Sequence, residues 1–240
     1  MTDDARVLRV DRLACRVVAH DWAFGRDAKG DIAAHWRDRT KVNPTLFDGR
    51  VLLASRVKTS VDSGGLTVLE ADFFETRFSR FLAWRDFGFP DREVYNCFSM
   101  PALRSADGAF LLGEMGPRHS CAGQLYFPCG TPDRGDIRGE TVDLGGSIVR
   151  ELAEETGVRV TERMFSPSWR VVFDGQRVAC VNIIDWLEPA QALLARVESH
   201  IAAESKPELV RAHMIRACEE LTDRRIPAFM AAFLAQELQA

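Results

Sequence analysis

The stretch RELAEETGV, Arg150 to Val158, places Glu151, Glu154 and Glu155 three and four positions apart. Side chains at that spacing are neighbours on a helix, and like charges there destabilise it by a few tenths of a kcal/mol per pair. Two of the three lie near the expected C-terminal end of the helix, where the helix dipole disfavours negative charge. Local stability therefore does not account for them. Two readings follow. One is a solvated acidic face, the ordinary fate of a charge run. The other is a divalent cation: Mg²⁺ prefers carboxylate oxygens, keeps several waters and is commonly completed by substrate phosphates. A helix would fix the separation of the three carboxylates for that purpose.

The elements that must position these glutamates are legible around them. Asp143 is placed to cap a helix running to about Thr156, and Gly157 suits the residue just past its end. Leu144, Ile148 and Leu152 recur every four residues and define the face turned to the core. Upstream, VYNCFSMPALRS and AFLLGEMG read as strands joined at Asp107-Gly108. GPRHSCAG reads as a polar loop, QLYFPCG as a short strand ending in a turn, and TPDRGDIRGETVDLGG as a long loop. Downstream, VRVTERMF and WRVVFDGQRVACVNIIDWLEP read as further strands, with a turn at Asp174-Gly175. The segments AQALLARVESHIAAES, PELVRAHMIRACEEL and IPAFMAAFLAQELQ read as helices, with Pro207 and Pro227 in first-turn positions.

Nearer the start, LRVDRLACRVVA reads as one strand and GDIAAHWRDRT as a short helix. NPTLFDGRVLLASRVK runs into a strand that pairs with GGLTVLEADFF. Phe74, Phe78, Phe81, Leu82 and Arg85 fall at helical spacing and predict an amphipathic helix over 74–88. Pro90-Asp91 marks a boundary between a lobe at 1–90 and a domain at 91–240. Strands dominate the first two thirds and helices the end, which predicts an α/β sandwich with a mixed sheet rather than a doubly wound parallel one. No GxGxxG, P-loop or GxSxG signature occurs.

A net charge of −4 supplies no global positive field for a nucleic-acid backbone. No run approaches the roughly 20 apolar residues needed to span a bilayer. The start, MTDDARVLRV, is acidic and has no apolar signal region, so a cytoplasmic protein is expected. The six cysteines are scattered without a CxxC pair, which predicts reduced thiols rather than a zinc site or disulfide scaffold.

RELAEETGV resembles the second half of the Nudix box, whose pattern is Gly-x5-Glu-x7-Arg-Glu-U-x-Glu-Glu-x-Gly-U with U aliphatic. Arg150, Glu151, Leu152, Glu154, Glu155, Gly157 and Val158 match in order. FPCG, Phe127 to Gly130, is similar to the turn that precedes the box. The first half departs: standard spacing puts the glutamate at Val142 and the glycine at Asp136. The nearest equivalent is Gly139-Glu140, and the loop is enlarged, leaving Asp133, Asp136 or Asp143 as other suppliers of a carboxylate. NPTLFDGRVLLAS is weakly similar to the lead-in of Nudix proteins that act on UDP-sugars.

The resemblance implies a Nudix-type α/β/α sandwich with an N-terminal α/β extension. It implies hydrolysis of a nucleoside diphosphate derivative, with Mg²⁺ or Mn²⁺ held by Glu151, Glu154 and Glu155 and completed by Glu140. Arg150 would pair with a box glutamate. Arg118, His119 and Gly130 would meet the substrate, and Glu162, Glu188 and Glu208 are open choices for a base. A small-molecule partner is expected, with no nucleic acid or membrane; a homodimer is compatible with it. The rebuilt first half also leaves open a Nudix-fold binding or regulatory protein that has lost catalysis.

Overall fold

Alternating apolar residues build the larger of two sheets, and the computed structural model describes residues 5–239. The acidic start, Met1 to Asp4, lies outside them. In chain order the elements are β1 (Arg6–Val10), β2 (Arg12–Val17), α1 (Ala23–Asp27), α2 (Lys29–Val42), β3 (Arg50–Val61), β4 (Thr67–Arg77), α3 (Phe78–Asp86), β5 (Asn96–Arg104), β6 (Phe110–Met115) and β7 (Leu125–Tyr126). There follow β8 (Ile137–Arg138), β9 (Thr141–Val142), α4 (Leu144–Thr156), β10 (Trp169–Asp174), β11 (Arg177–Asp185), α5 (Ala190–Ala203), β12 (Leu209–Ile215) and α6 (Ala228–Leu238).

The larger sheet has the order β1-β10-β11-β5-β6-β12, with β7 also on β6. Its β11–β5 pair is parallel and its other pairs are antiparallel. Along β11 the side chains alternate: Ala179, Val181 and Ile183 pack towards α6, and Val178 and Cys180 pack the other way. α6 covers one face through Phe229, Met230 and Phe233. α4 and α5 cover the other through Ile148, Leu152, Leu193 and Val197. The smaller sheet has the order β3-β4-β2-β9-β8, with β2 and β4 parallel. The expected mixed α/β architecture is present, and it contains two mixed sheets.

Four local expectations are corrected. LRVDRLACRVVA is two strands in different sheets, because the chain crosses at Asp11, whose carboxylate accepts the Thr67 N–H at 2.8 Å. Phe74 to Arg77 extend β4 and the helix begins at Phe78. β4 is buried on both faces, Phe73 on one and Phe74 on the other, and such a run carries no clear period. VRVTERMF forms no strand: Val158 and Val160 are buried, and a short 3-10 turn at Glu162–Met164 follows. PELVRAHMIRACEEL holds β12, antiparallel to β6, so Pro207 precedes a strand. A bulge between Leu209 and Arg211 shifts the phase, so Leu209, Ala212 and Ile215 are buried at a spacing of three that imitates a helix.

The long loop also has structure of its own: Asp133 caps a 3-10 turn at Arg134–Asp136, and β8 and β9 form a two-residue hairpin over Gly139-Glu140. Gly139 has φ +63°, the left-handed conformation such a turn requires. The cysteines are free among the described residues.

Candidate functional site

The Asp143 carboxylate accepts the Gly146 N–H at 2.8 Å and starts α4, and Gly157 ends it at φ +70°. Leu144, Ile148 and Leu152 are buried, each contributing about 1.5–3 kcal/mol of apolar burial. His200 donates from Nε2 to the Glu154 carbonyl at 3.0 Å and covers part of the exposed C-terminal end. The glutamates therefore project from a clamped helix.

One guanidinium answers much of their repulsion. Arg150 Nη1 lies 2.7 Å from Glu151 Oε1 and 3.4 Å from Glu154 Oε2. Its Nη2 donates to both oxygens of Asp136, at 3.0 and 3.2 Å. Asp136 is 2% exposed and also accepts the Asp133 N–H at 3.0 Å, so the loop fixes the arginine from outside the helix. Burial disfavours the Arg150 charge, but Asp136 and Glu151 outweigh that and hold its pKa above the usual value.

Glu155 is different. It is buried, and its Oε2 has no hydrogen-bond partner. Burial pushes its pKa well up, and the Glu151 and Glu208 charges push the same way against a hydrogen bond from the Cys129 N–H. Burial also raises Glu151; Arg150 opposes this, while Glu154 and Glu208 add to it. Gly130 closes over the pair: a Cβ there would stand 2.4 Å from Glu151 Oε1. Only the absence of a side chain at that position lets the FPCG turn approach the carboxylate.

The structure thus brings together Glu151, Glu155, Arg150 and Gly130, with Glu154 at the rim, its side chain 61% exposed. Glu140 sits exposed on the β8–β9 turn, and its carbonyl accepts the Val17 N–H. Among the described residues no hydrogen bond or ion pair joins its carboxylate to those of α4. Arg118 is exposed, and its carbonyl accepts from Asn43 Nδ2. His119 Nδ1 accepts the Cys121 N–H at 3.2 Å. Burial pushes the Cys121 thiol up, but His119 and Arg85 outweigh it and hold its pKa below the usual value. Of the three base choices, Glu208 lies close enough to raise both buried glutamates. Glu188 is paired with Arg196, and Glu162 lies at the first turn of α4 beside Gly145.

Asp136 is the residue that sequence spacing ranks no higher than Asp133 or Asp143. It precedes Arg150 by fourteen positions, with the β8–β9 hairpin between them. Among the described residues, no three His, Cys, Asp or Glu side chains are gathered closely enough to hold a metal ion as they stand.

No protein-family model matches the chain, and no curated protein matches it in sequence. Solved structures are similar in part. A MutT protein from Methanosarcina mazei Go1 aligns at 17% identity and TM-score 0.40, over 60% of this chain and 94% of that one. A Nudix hydrolase from Nitrosomonas europaea aligns at 16% and 0.38, over 60% and 88%. The Nudix hydrolase RenU from M. smegmatis aligns at 16% and 0.36, over 58% and 81%. Likeness at this level does not assign the chain to a family.

Proposed function

We propose that the protein is a Nudix-type pyrophosphohydrolase that cleaves the diphosphate linkage of a nucleoside diphosphate derivative, a nucleotide sugar being the subclass to try first. The observation that carries this reading is the buried, unpartnered Glu155 oxygen beside the Glu151 carboxylate, on the helix that matches the box. Two carboxylates whose pKa values burial and mutual repulsion raise fit a hard divalent cation such as Mg²⁺ or Mn²⁺. Glu151, Glu154 and Glu155 would hold it, Arg150 keeping its contact to one Glu151 oxygen and releasing Glu154. Bound there, the cation would neutralise phosphate charge and lower the pKa of a water.

The chain's own residues do the rest. Asp136 holds Arg150, which orients Glu151 through its 2.7 Å contact. Glu208 takes the proton of the attacking water, the role its place beside both buried carboxylates supports. Arg118 and His119 meet the diphosphate. Within the 1–90 extension, the part that follows β1 braces this loop, through Asn43 to the Arg118 carbonyl and Arg85 to Ser120.

The test is a screen of nucleotide sugars, dinucleotides, coenzyme A and nucleoside triphosphates with Mg²⁺ or Mn²⁺. Turnover of one class, lowered by two or more orders of magnitude in Glu154→Gln at unchanged thermal midpoint, is expected. Tight binding of a ligand without turnover would instead support a binding protein, the reading favoured by Arg150 occupying Glu151 and Glu154.

A further inference from the structure

Away from α4, a cavity of about 220 Å³ opens between the α1 region, β4 and α3. Its wall carries Asp21, Arg26, Lys29, Glu75, Thr76 and Arg80. Most of these charges are already answered. Arg26 is paired with Asp21 and with Asp27 at 2.8 Å. Glu75 is paired with Arg134 and with Arg50 at 3.0 Å. Lys29 and Arg80 are not: among the described residues neither ends on a carboxylate. Thr76, 2% exposed, has a hydroxyl buried in the same wall without a hydrogen-bond partner. A buried hydroxyl without a partner destabilises the fold, so its persistence calls for an acceptor.

We propose that this cavity binds the phosphoryl group of a small phosphate monoester, or phosphate itself, between Lys29, Arg80 and the Thr76 hydroxyl. The charge count favours this class. Lys29 and Arg80 stand outside any ion pair, Lys29 facing only the charge that Arg26 leaves over on Asp21 and Asp27, and together they match a group that carries about −1.5 to −2 at pH 7, whose oxygens suit a guanidinium fork. A carboxylate would satisfy one cation and leave the other. The volume lies below the roughly 300–1,000 Å³ that takes a drug-sized ligand, which suits a phosphoryl group or a small sugar phosphate. The site is separate from the α4 carboxylates. Its wall nevertheless touches the enlarged loop, since Glu75 holds Arg134, two residues from the Asp136 that anchors Arg150.

Calorimetric titration of the full chain with inorganic phosphate, ribose 5-phosphate and acetate tests it. Saturable binding of phosphate or the monoester is expected, with acetate at least tenfold weaker. The stronger of the first two identifies the source of the group. Arg80→Gln and Lys29→Gln should each weaken binding about tenfold, and Glu155→Gln should leave it unchanged. Thr76→Val should weaken binding severalfold without lowering the thermal midpoint of the anion-free protein, because it removes an unpartnered hydroxyl. Lys29 is exposed, so Lys29→Gln decides the matter if Arg80→Gln fails to fold. Absence of saturable binding, equal affinity for acetate, indifference to Lys29→Gln, or loss of binding in Glu155→Gln would each overturn the proposal.

Discussion

Asp72 on β4 and Glu155 on α4 are buried to the same degree, at 9% and 8% exposure, and differ in everything else. Asp72 receives Arg16 Nε and Arg56 Nε at 2.7 Å each. The Arg56 and Arg16 hydrogen bonds hold its pKa down to about 2. Glu155 has one oxygen without a partner, and burial with its acidic neighbours pushes its pKa well up. Equal exposure at different depth, with opposite partners, separates a carboxylate that joins strands from one that is left without a cation. The first serves the fold, and the second is, in the proposed reading, where binding energy is released.

The sharpest way to break this contrast is to neutralise each carboxylate and measure hydrolysis of the substrate found by screening. Glu155→Gln should lower kcat/KM by about 10²–10³, the scale on which removing one electrostatic contact at a reacting phosphate acts. Asp72→Asn should stay within about twofold, as no reacting group is near it in the proposed mechanism. Equal losses in the two variants would end the distinction.

Next in size is Gly130→Ala. The new methyl would stand 2.4 Å from Glu151 Oε1 and 2.8 Å from its Cδ, so either the FPCG turn or the glutamate must move. Overpacking of this kind costs about 1–3 kcal/mol, which denaturant unfolding reads directly, and activity should fall at least tenfold. Wild-type activity with unchanged stability would mean that the close approach is not needed.

The same two carboxylates mark what sequence could and could not supply. α4 was readable end to end, because Asp143, the four-residue apolar repeat and Gly157 are local signals that tertiary packing reinforced. The Glu151–Glu155 pair came with it. Asp136 stands there only as one of three equal aspartates, because the hairpin between it and Arg150 breaks the motif's spacing and only the folded loop returns its carboxylate to the guanidinium. Glu208 is one of three glutamates that sequence cannot rank as a base; the chain around β12 carries it beside α4, and the bulge in β12 hides that strand from a periodic reading. Asp72 was equally silent: its partners lie 56 and 16 residues away, on strands joined by pairings that no local pattern encodes.

Asp72 should show itself in acid. Its folded pKa is depressed from 3.8 to about 2, so its stabilisation is present above the unfolded value and is lost as pH falls through about 2. Both arginines are substantially solvated, which reduces the expected contribution to about 1–2 kcal/mol. The stability difference between wild type and Asp72→Asn, from urea unfolding, should be constant from pH 7 to about 4 and shrink below that. A difference that persists unchanged in strong acid would place the role of Asp72 in packing rather than charge.

Glu155 should give the smallest effect and the opposite slope. Its folded pKa is raised, so the metal-free fold holds a proton there that the unfolded chain releases near 4.5. Stability from this group is complete below that value and is lost as pH rises towards the folded pKa. Glutamine resembles the protonated form and does not titrate, so Glu155→Gln should match wild type near pH 4 and exceed it by about 1 kcal/mol at pH 8. Mg²⁺ supplies the missing partner in the proposed reading, so adding it should raise the wild-type thermal midpoint more at pH 8 than at pH 6 and barely move that of Glu155→Gln. If the metal-free stability curves of the two proteins run parallel across this range, Glu155 is not held protonated by its surroundings, and its resemblance to Asp72 is closer than the geometry implies.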